Sequence, residues 1–199
     1  MNKLTRRARA PLAACLLLVL AAASADVASA QLRDPGSTGG TAPKPGRATR
    51  GHEPLLPVAV SGYVFPIRGP HSYGTAINRF GAPRSGHTHQ GQDVLAPAGT
   101  PLVAARGGRV THRAFQAAAG NYLVIATDDG TDHVYMHLLA PAKLRPGQTV
   151  RAGQPIGRVG QTGDATAPHL HFEVWTAHWW DGGRPLDPLP RLRAWDALS

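Results

Sequence analysis

PHLHFEV, Pro168–Val174, places two histidines either side of one leucine inside a segment that otherwise reads as a buried strand. Side chains two apart in a β-strand share a face. His169 and His171 therefore project together, with Glu173 on the same side, while Leu170 and Phe172 face the other way. Imidazole is the commonest protein metal ligand. Taken alone, the pair reads either as metal ligands or as hydrogen-bonded surface histidines.

Around this segment, short apolar runs alternate with Gly and Pro: YVFPI, QDVLAP, TPLVAA, GRVTHRAF, NYLVIAT, HVYMHLL and QPIGRVG. None carries a helical stripe, and the spacing of the turn signals predicts many short antiparallel strands. The fold class is thus mainly β, an antiparallel, sandwich-like sheet. The Asp-Gly pair in Thr127–Thr131 predicts a hairpin turn joining the strands around NYLVIA and HVYMHL.

Residues 1–30 have another character. Lys3, Arg6, Arg7 and Arg9 precede an apolar run from Pro11 to Ala23, and Ala28-Ser29-Ala30 supplies small residues before Gln31. This is the layout of a secretory signal peptide. The run is shorter than the roughly 20 residues a membrane span needs. Neither a twin-arginine signal nor lipidation at Cys15 fits well, because no apolar residue closely follows the arginine pair and most of the apolar run lies beyond Cys15. Cys15 is the only cysteine, so a chain without the leader has no disulfides and depends for stability on its core and on any metal it binds.

Residues 31–57 are rich in Gly, Pro, Thr, Ser and Arg, and read as a disordered linker. The expected organisation is a leader at 1–30, a linker at 31–57, one domain at 58–190 and a polar tail at 191–199. The net charge of +9 includes four basic residues and Asp26 of the leader; without them, 17 basic and 11 acidic residues leave +6. That balance suits an anionic envelope. The arginines are scattered and no nucleic-acid-binding signature is present, so nucleic acid is not an expected partner.

The stretch HTHQGQDV adds His89 and Asp93, four residues apart. Fully extended, four residues span about 13 Å, so both side chains reach one ion only if the chain bends, and Gly91 offers the bend. Alone, this stretch reads first as a solvated loop. With one histidine of PHLHFEV it makes two imidazoles and a carboxylate, and three protein ligands with an open position describe catalytic zinc. His137, in HVYMHLL, reads alone as a strand histidine. An amide-cleaving zinc site also needs a proton acceptor and a group to stabilise the oxyanion, which His169 and His137 can supply.

Together these motifs resemble the zinc peptidases of the lysostaphin and LytM type, the M23 peptidases, which cut peptide cross-links of bacterial peptidoglycan. His-x-x-x-Asp matches His89 to Asp93, His-x-His matches His169 and His171, and Tyr-x-His-Leu matches Tyr135 to Leu138. The likeness runs from about Val64 to Pro190 and includes the phrases FGAPR, APAGTPLVAA, GNYLVI, GQTGD and DPLP.

The resemblance implies that His89, Asp93 and His171 hold one zinc ion with a water in the fourth position. It implies His169 as general base and His137 as hydrogen-bond donor to the oxyanion, on a sheet-floored groove walled by loops. Glu173 is a candidate partner of a ligand. The chain departs from many relatives at His87-Thr88, where a basic residue is usual; His87 is the alternative first ligand, but only His89 has the right spacing to Asp93. His112, His133 and His178 match no motif and are expected on the surface or in packing. The four tryptophans are expected in the core and on the groove rim, with the lining of one groove end by Trp179 and Trp180 as the alternative.

The implied protein is a secreted, extracytoplasmic zinc endopeptidase acting as a monomer on peptidoglycan peptides, without stable membrane insertion once the leader is gone. Two alternatives stand beside it. One is a non-enzymatic module that binds the wall and activates other hydrolases; the other is a secreted peptidase for Gly-rich proteins.

Overall fold

The computed structural model describes residues 62–176 and 178–199. The leader and linker expected at 1–30 and 31–57 lie outside these. Among the described residues, no helix is long and apolar enough to cross a membrane.

Among the described residues, nine strands form in chain order: β1 Gln92–Leu95, β2 Pro101–Val103, β3 Gly108–Gln116, β4 Gly120–Thr127, β5 Thr131–Leu138, β6 Thr149–Val150, β7 Pro155–Arg158, β8 His169–Thr176 and β9 Arg184–Leu186. A 3-10 turn at Ala76–Asn78 precedes them and helix α1, Leu189–Asp196, follows. The large sheet runs β1-β8-β5-β4-β3-β6, with β9 added along the distal half of β8, and β2 pairs with β7 in a small second sheet. Every ladder is antiparallel. The mainly β, antiparallel expectation holds.

Strands β4, β5 and β8 are buried almost throughout because both faces of the sheet centre are covered. Leu123, Ile125, Tyr135, Leu170, Phe172 and Val174 point into the main core. Tyr122, Val124, Val134, Met136, Trp175 and Trp179 form a smaller cluster on the other face. The candidate site lies on that second face. The predicted hairpin is present: Gly130 takes a positive φ of 82°, which glycine adopts without steric cost, and Thr131 N–H donates to Asp129 Oδ1 at 3.1 Å.

Residues 191–199, expected as a tail, instead form most of α1 and its end. An eight-residue helix is marginal alone; this one is held by Leu192 and Trp195, both inside the main core. Trp195 stacks on Tyr63 with ring centroids 4.8 Å apart and lies 5.8 Å from the buried His133 ring. Tyr63 in turn hydrogen-bonds Asp129 of the β4–β5 turn. The apolar residues in this segment were too few to show a period, so only packing reveals the helix. Trp195→Ala is expected to cost about 3–5 kcal/mol, read as a lower urea midpoint.

His133, as expected, is a packing residue. Burial lowers its pKa to about 4. The unfolded chain binds that proton below about pH 6.5 and the folded chain does not until about 4, so this histidine's contribution is full above 6.5 and is lost as pH falls. The slope in that window is at most about 1.4 kcal/mol per pH unit. Stability curves of His133→Phe should be flatter than the parent's between pH 6.5 and 4; an unchanged slope would refute this account.

Candidate metal centre and active site

Register builds the centre. In the β1–β8 ladder Asp93 pairs with His171 and Leu95 with His169, so a carboxylate and an imidazole on neighbouring strands share one face. His89 lies before β1, where the chain bends at Gly91. A Cβ on Gly91 would stand 2.5 Å from Phe172 O and 2.8 Å from His171 Nε2, a distance that only glycine permits. This close approach brings His89 back to Asp93 despite the four-residue separation.

His89 Nε2, Asp93 Oδ1 and His171 Nδ1 lie 2.9–3.0 Å from one another and are buried. The outer partners decide which nitrogens face inward. His89 Nδ1–H donates to Arg79 O at 2.8 Å, and His171 Nε2–H donates to Glu173 Oε1 at 2.8 Å. In the neutral rings this leaves two nitrogen lone pairs and a carboxylate oxygen converging on one point. Such a set is repulsive unless a positive charge joins it.

The triangle is slightly smaller than a face of a zinc tetrahedron, whose ligand atoms are about 3.3 Å apart for bonds of about 2.0–2.1 Å. The residues therefore fit a zinc ion. Without a metal, a proton serves. Burial alone would push the His171 pKa down, but Asp93 and Glu173 raise it to about 9. Burial would likewise raise Asp93, yet bonds from His171 and His89 hold its carboxyl well below the usual range. A metal must displace that proton, so its affinity rises with pH.

Two further imidazoles stand beside the triangle. His169 Nδ1–H donates to Ala167 O at 2.7 Å, and its Nε2 lies 3.5 Å from Asp93 Oδ1. His137 Nδ1–H donates to Thr162 O at 2.8 Å. The two rings are 4.6 Å apart, and each turns a bare Nε2 away from its backbone partner. Burial lowers both pKa values, that of His137 to about 3 with help from His171 and His169, so both are neutral acceptors.

His137 has φ +60°, alone among the described non-glycine residues. Leu123 pairs with Tyr135 and Asn121 with Leu138, so β5 carries one extra residue, and this bulge turns His137 out of strand alternation. The sequence shows the histidine but not the bulge.

His87 is exposed on the 83–88 hairpin, with its ring Nδ1 bonded to Ser85 O at 3.1 Å, outside the triangle. His112 and His178 pack on Trp180. Trp179 lies in the second-face cluster, as the core reading expects, and the alternative fails because neither Trp179 nor Trp180 lines the groove. Trp179 N–H donates to Asp132 Oδ2 at 2.8 Å, which draws the segment after β8 over the distant part of the sheet. Sequence reasoning missed Asn78 and Arg84, which reach Asp93 Oδ2 at 3.4 Å each. It also missed the Thr162 carbonyl, although that residue lies in the quoted GQTGD phrase.

The model of peptidase family M23 matches residues 87–188, half of the chain. The chain belongs to peptidase family M23. It is 37% identical over 101 residues to the DD-carboxypeptidase/endopeptidase Mpg of Neisseria meningitidis, covering 51% of this chain and 22% of that protein. To the peptidoglycan DD-endopeptidase ShyC of Vibrio cholerae it is 40% identical over 85 residues, 43% of this chain and 19% of the other.

The chain thus spans about a fifth of the length of these curated relatives. The catalytic domain of lysostaphin from Staphylococcus simulans superposes with a TM-score of 0.53 at 32% identity, covering 62% of this chain and 92% of that domain. A putative glycyl-glycine endopeptidase LytM from Ruminococcus gnavus gives 0.58 at 25% identity, covering 68% and 61%. The lysostaphin and LytM fold expected from the motifs is thus the fold of this M23 domain.

Glu173 is the part of the centre most open to a direct test. Its Oε1 accepts from His171 and its Oε2 accepts from Trp175 Nε1 at 2.7 Å, which orients the His171 ring. Partners of this kind change metal affinity about 10- to 100-fold. Glu173→Gln should weaken zinc binding by that factor in competition titrations with a chelator, while Asp164→Asn, on the groove wall, should not.

Proposed function

We propose that this M23 domain is an exported zinc endopeptidase that hydrolyses peptide bonds in bacterial peptidoglycan. The observation that carries the proposal is the pairing of two imidazole sets. Three inward ligands, His89, Asp93 and His171, demand a cation, and two neutral imidazoles with bare Nε2 atoms stand beside them. Zinc held there would polarise the scissile carbonyl and make a water acidic enough to attack it.

The chain's own residues do the rest. His169 Nε2, the nearer of the two free nitrogens to the ligand cluster, takes the proton of the attacking water and later gives it to the leaving amine. His137 is assigned to the oxyanion, with one condition. Because its Nδ1–H is spent on Thr162 O, it donates from Nε2 only after that nitrogen takes up a proton from solvent in the groove, which happens as negative charge develops before it. The groove walls keep the peptide extended over β8, and the bulge at Met136–His137 holds the ring in place as the reaction proceeds.

A peptidoglycan substrate is supported by the activities named for ShyC and Mpg, and by the positive charge left once the leader is removed. The leader supports secretion into the cell envelope. The non-enzymatic alternative would require a lost ligand, and all five motif positions are present.

The chain purified after leader removal should carry about one zinc by mass spectrometry and release muropeptides from purified sacculi. His171→Ala should lose both. His169→Ala should keep the zinc and lose release, which separates ligand from base. A parent chain that binds zinc but releases nothing from sacculi, while cutting a Gly-rich protein, would move the substrate outside the wall.

A further inference from the structure

The metal centre takes one edge of the large sheet, and basic residues crowd the other. No acid occurs between Asp93 and Asp128 or between Asp132 and Asp164, whereas those two stretches carry six arginines and one lysine. The fold gathers several of them round β6. Arg109 pairs with Thr149 across the β3–β6 ladder, and its guanidinium donates to Gly147 O at 2.6 Å, in the turn that Arg145 begins. Arg151 lies two residues beyond Thr149, a diagonal that puts its Cβ about 7–8 Å from that of Arg109. Arg68 reaches the following turn, where its guanidinium would stand 4.0 Å from a Cβ on Gly153. All four arginines are exposed, and among the described residues no carboxylate forms an ion pair with any of them.

Arg109, Thr149 and Arg151 line an open hollow of about 590 Å³. Asp128 is the one acid among the described residues lining it, and Arg106 already pairs with that carboxylate. Val110 and Val150 enter the main core, so Arg109 and Thr149, their neighbours in the strands, face the opposite side, the side that carries the metal centre. Four strand spacings separate β6 from β8, about 19 Å along the sheet. A short peptide seated at the centre therefore leaves the hollow empty, while a second branch of the same polymer can enter it.

Guanidinium groups this close repel one another, and a carboxylate between them relieves the repulsion while matching their forked donors. A lipid surface fits the region less well. The hollow is recessed where a bilayer is flat, and among the described residues no exposed large apolar side chain lies on β6 or the turns beside it.

We propose that this hollow is a second wall-binding site, in which Arg109 and Arg151 hold free carboxylates of peptidoglycan stem peptides other than the one being cut. Arg68 and Arg145 extend the basic surface to either side. The site takes its partner from the peptidoglycan reading above, and it adds a means of staying on the polymer between cuts.

Binding is read apart from turnover by co-sedimenting His169→Ala with purified sacculi, with and without Arg109→Gln and Arg151→Gln together. The two arginine changes should weaken binding about tenfold at low salt and make it less sensitive to added salt. Amidating the sacculus carboxylates should remove the same increment, and Arg109→Lys with Arg151→Lys should keep most of the binding. In the otherwise unaltered chain, the Gln pair should lower kcat/KM on sacculi by a similar factor. It should leave unchanged the rate on a soluble four-residue substrate, at most about 14 Å long and so too short to reach both sites.

Equal affinity with and without the Gln pair, an equal loss on the short substrate, or an arginine-dependent increment that survives amidation would overturn the proposal. So would loss of that increment when phosphate polymers are stripped from sacculi whose carboxylates are intact. A chain that keeps the arginine-dependent binding but cuts no wall peptide would count against the peptidase reading alone.

Discussion

Three atoms that repel one another, His89 Nε2, Asp93 Oδ1 and His171 Nδ1, are held within hydrogen-bond distance by everything around them. The β1–β8 ladder sets Asp93 against His171. The Arg79 carbonyl and Glu173 take up the outer N–H groups and so force lone pairs inward. Ordinary strand pairing thereby builds a set of acceptors whose charge and spacing suit a cation. Without a metal, a proton on His171 answers that demand, because Asp93 and Glu173 raise the pKa of its ring.

The same logic extends to His137 and His169. Each gives its Nδ1–H to a backbone carbonyl, so each presents an acceptor to the groove, and burial opposes a second proton. The cost at His137 is a left-handed backbone within a strand. Such conformations persist only where their surroundings hold them. Here the surroundings are the Ala119 carbonyl, which accepts the His137 N–H at 2.9 Å, and the Thr162 loop, packed on Gly120 too closely for any side chain there.

The division of the sheet explains how so polar a site coexists with a stable domain that has no cysteine beyond Cys15. One face of β4, β5 and β8 builds the main core, closed by Leu192 and Trp195 of α1. The other face is apolar under Trp175 and Trp179 and polar where it meets β1. Glu173 lies at the boundary, bonded to His171 on one side and Trp175 on the other. It joins the ligand set to the packed cluster and passes on that cluster's rigidity.

The sequence by itself determined the strand-rich class, the shared face of His169, His171 and Glu173, and the need for a bend at Gly91. These follow from the two-residue period of a strand and the length of its step, which are local properties. Motif order and context further brought His89, Asp93 and His137 into one reading. Only the tertiary structure decided that His87 stays outside, that β5 bulges at His137, and that Asn78 and Arg84 close on Asp93. It also turned the supposed tail into a core helix and moved Trp179 and Trp180 away from the groove. Each of these depends on contacts between residues distant in the chain, where spacing carries no information about distance.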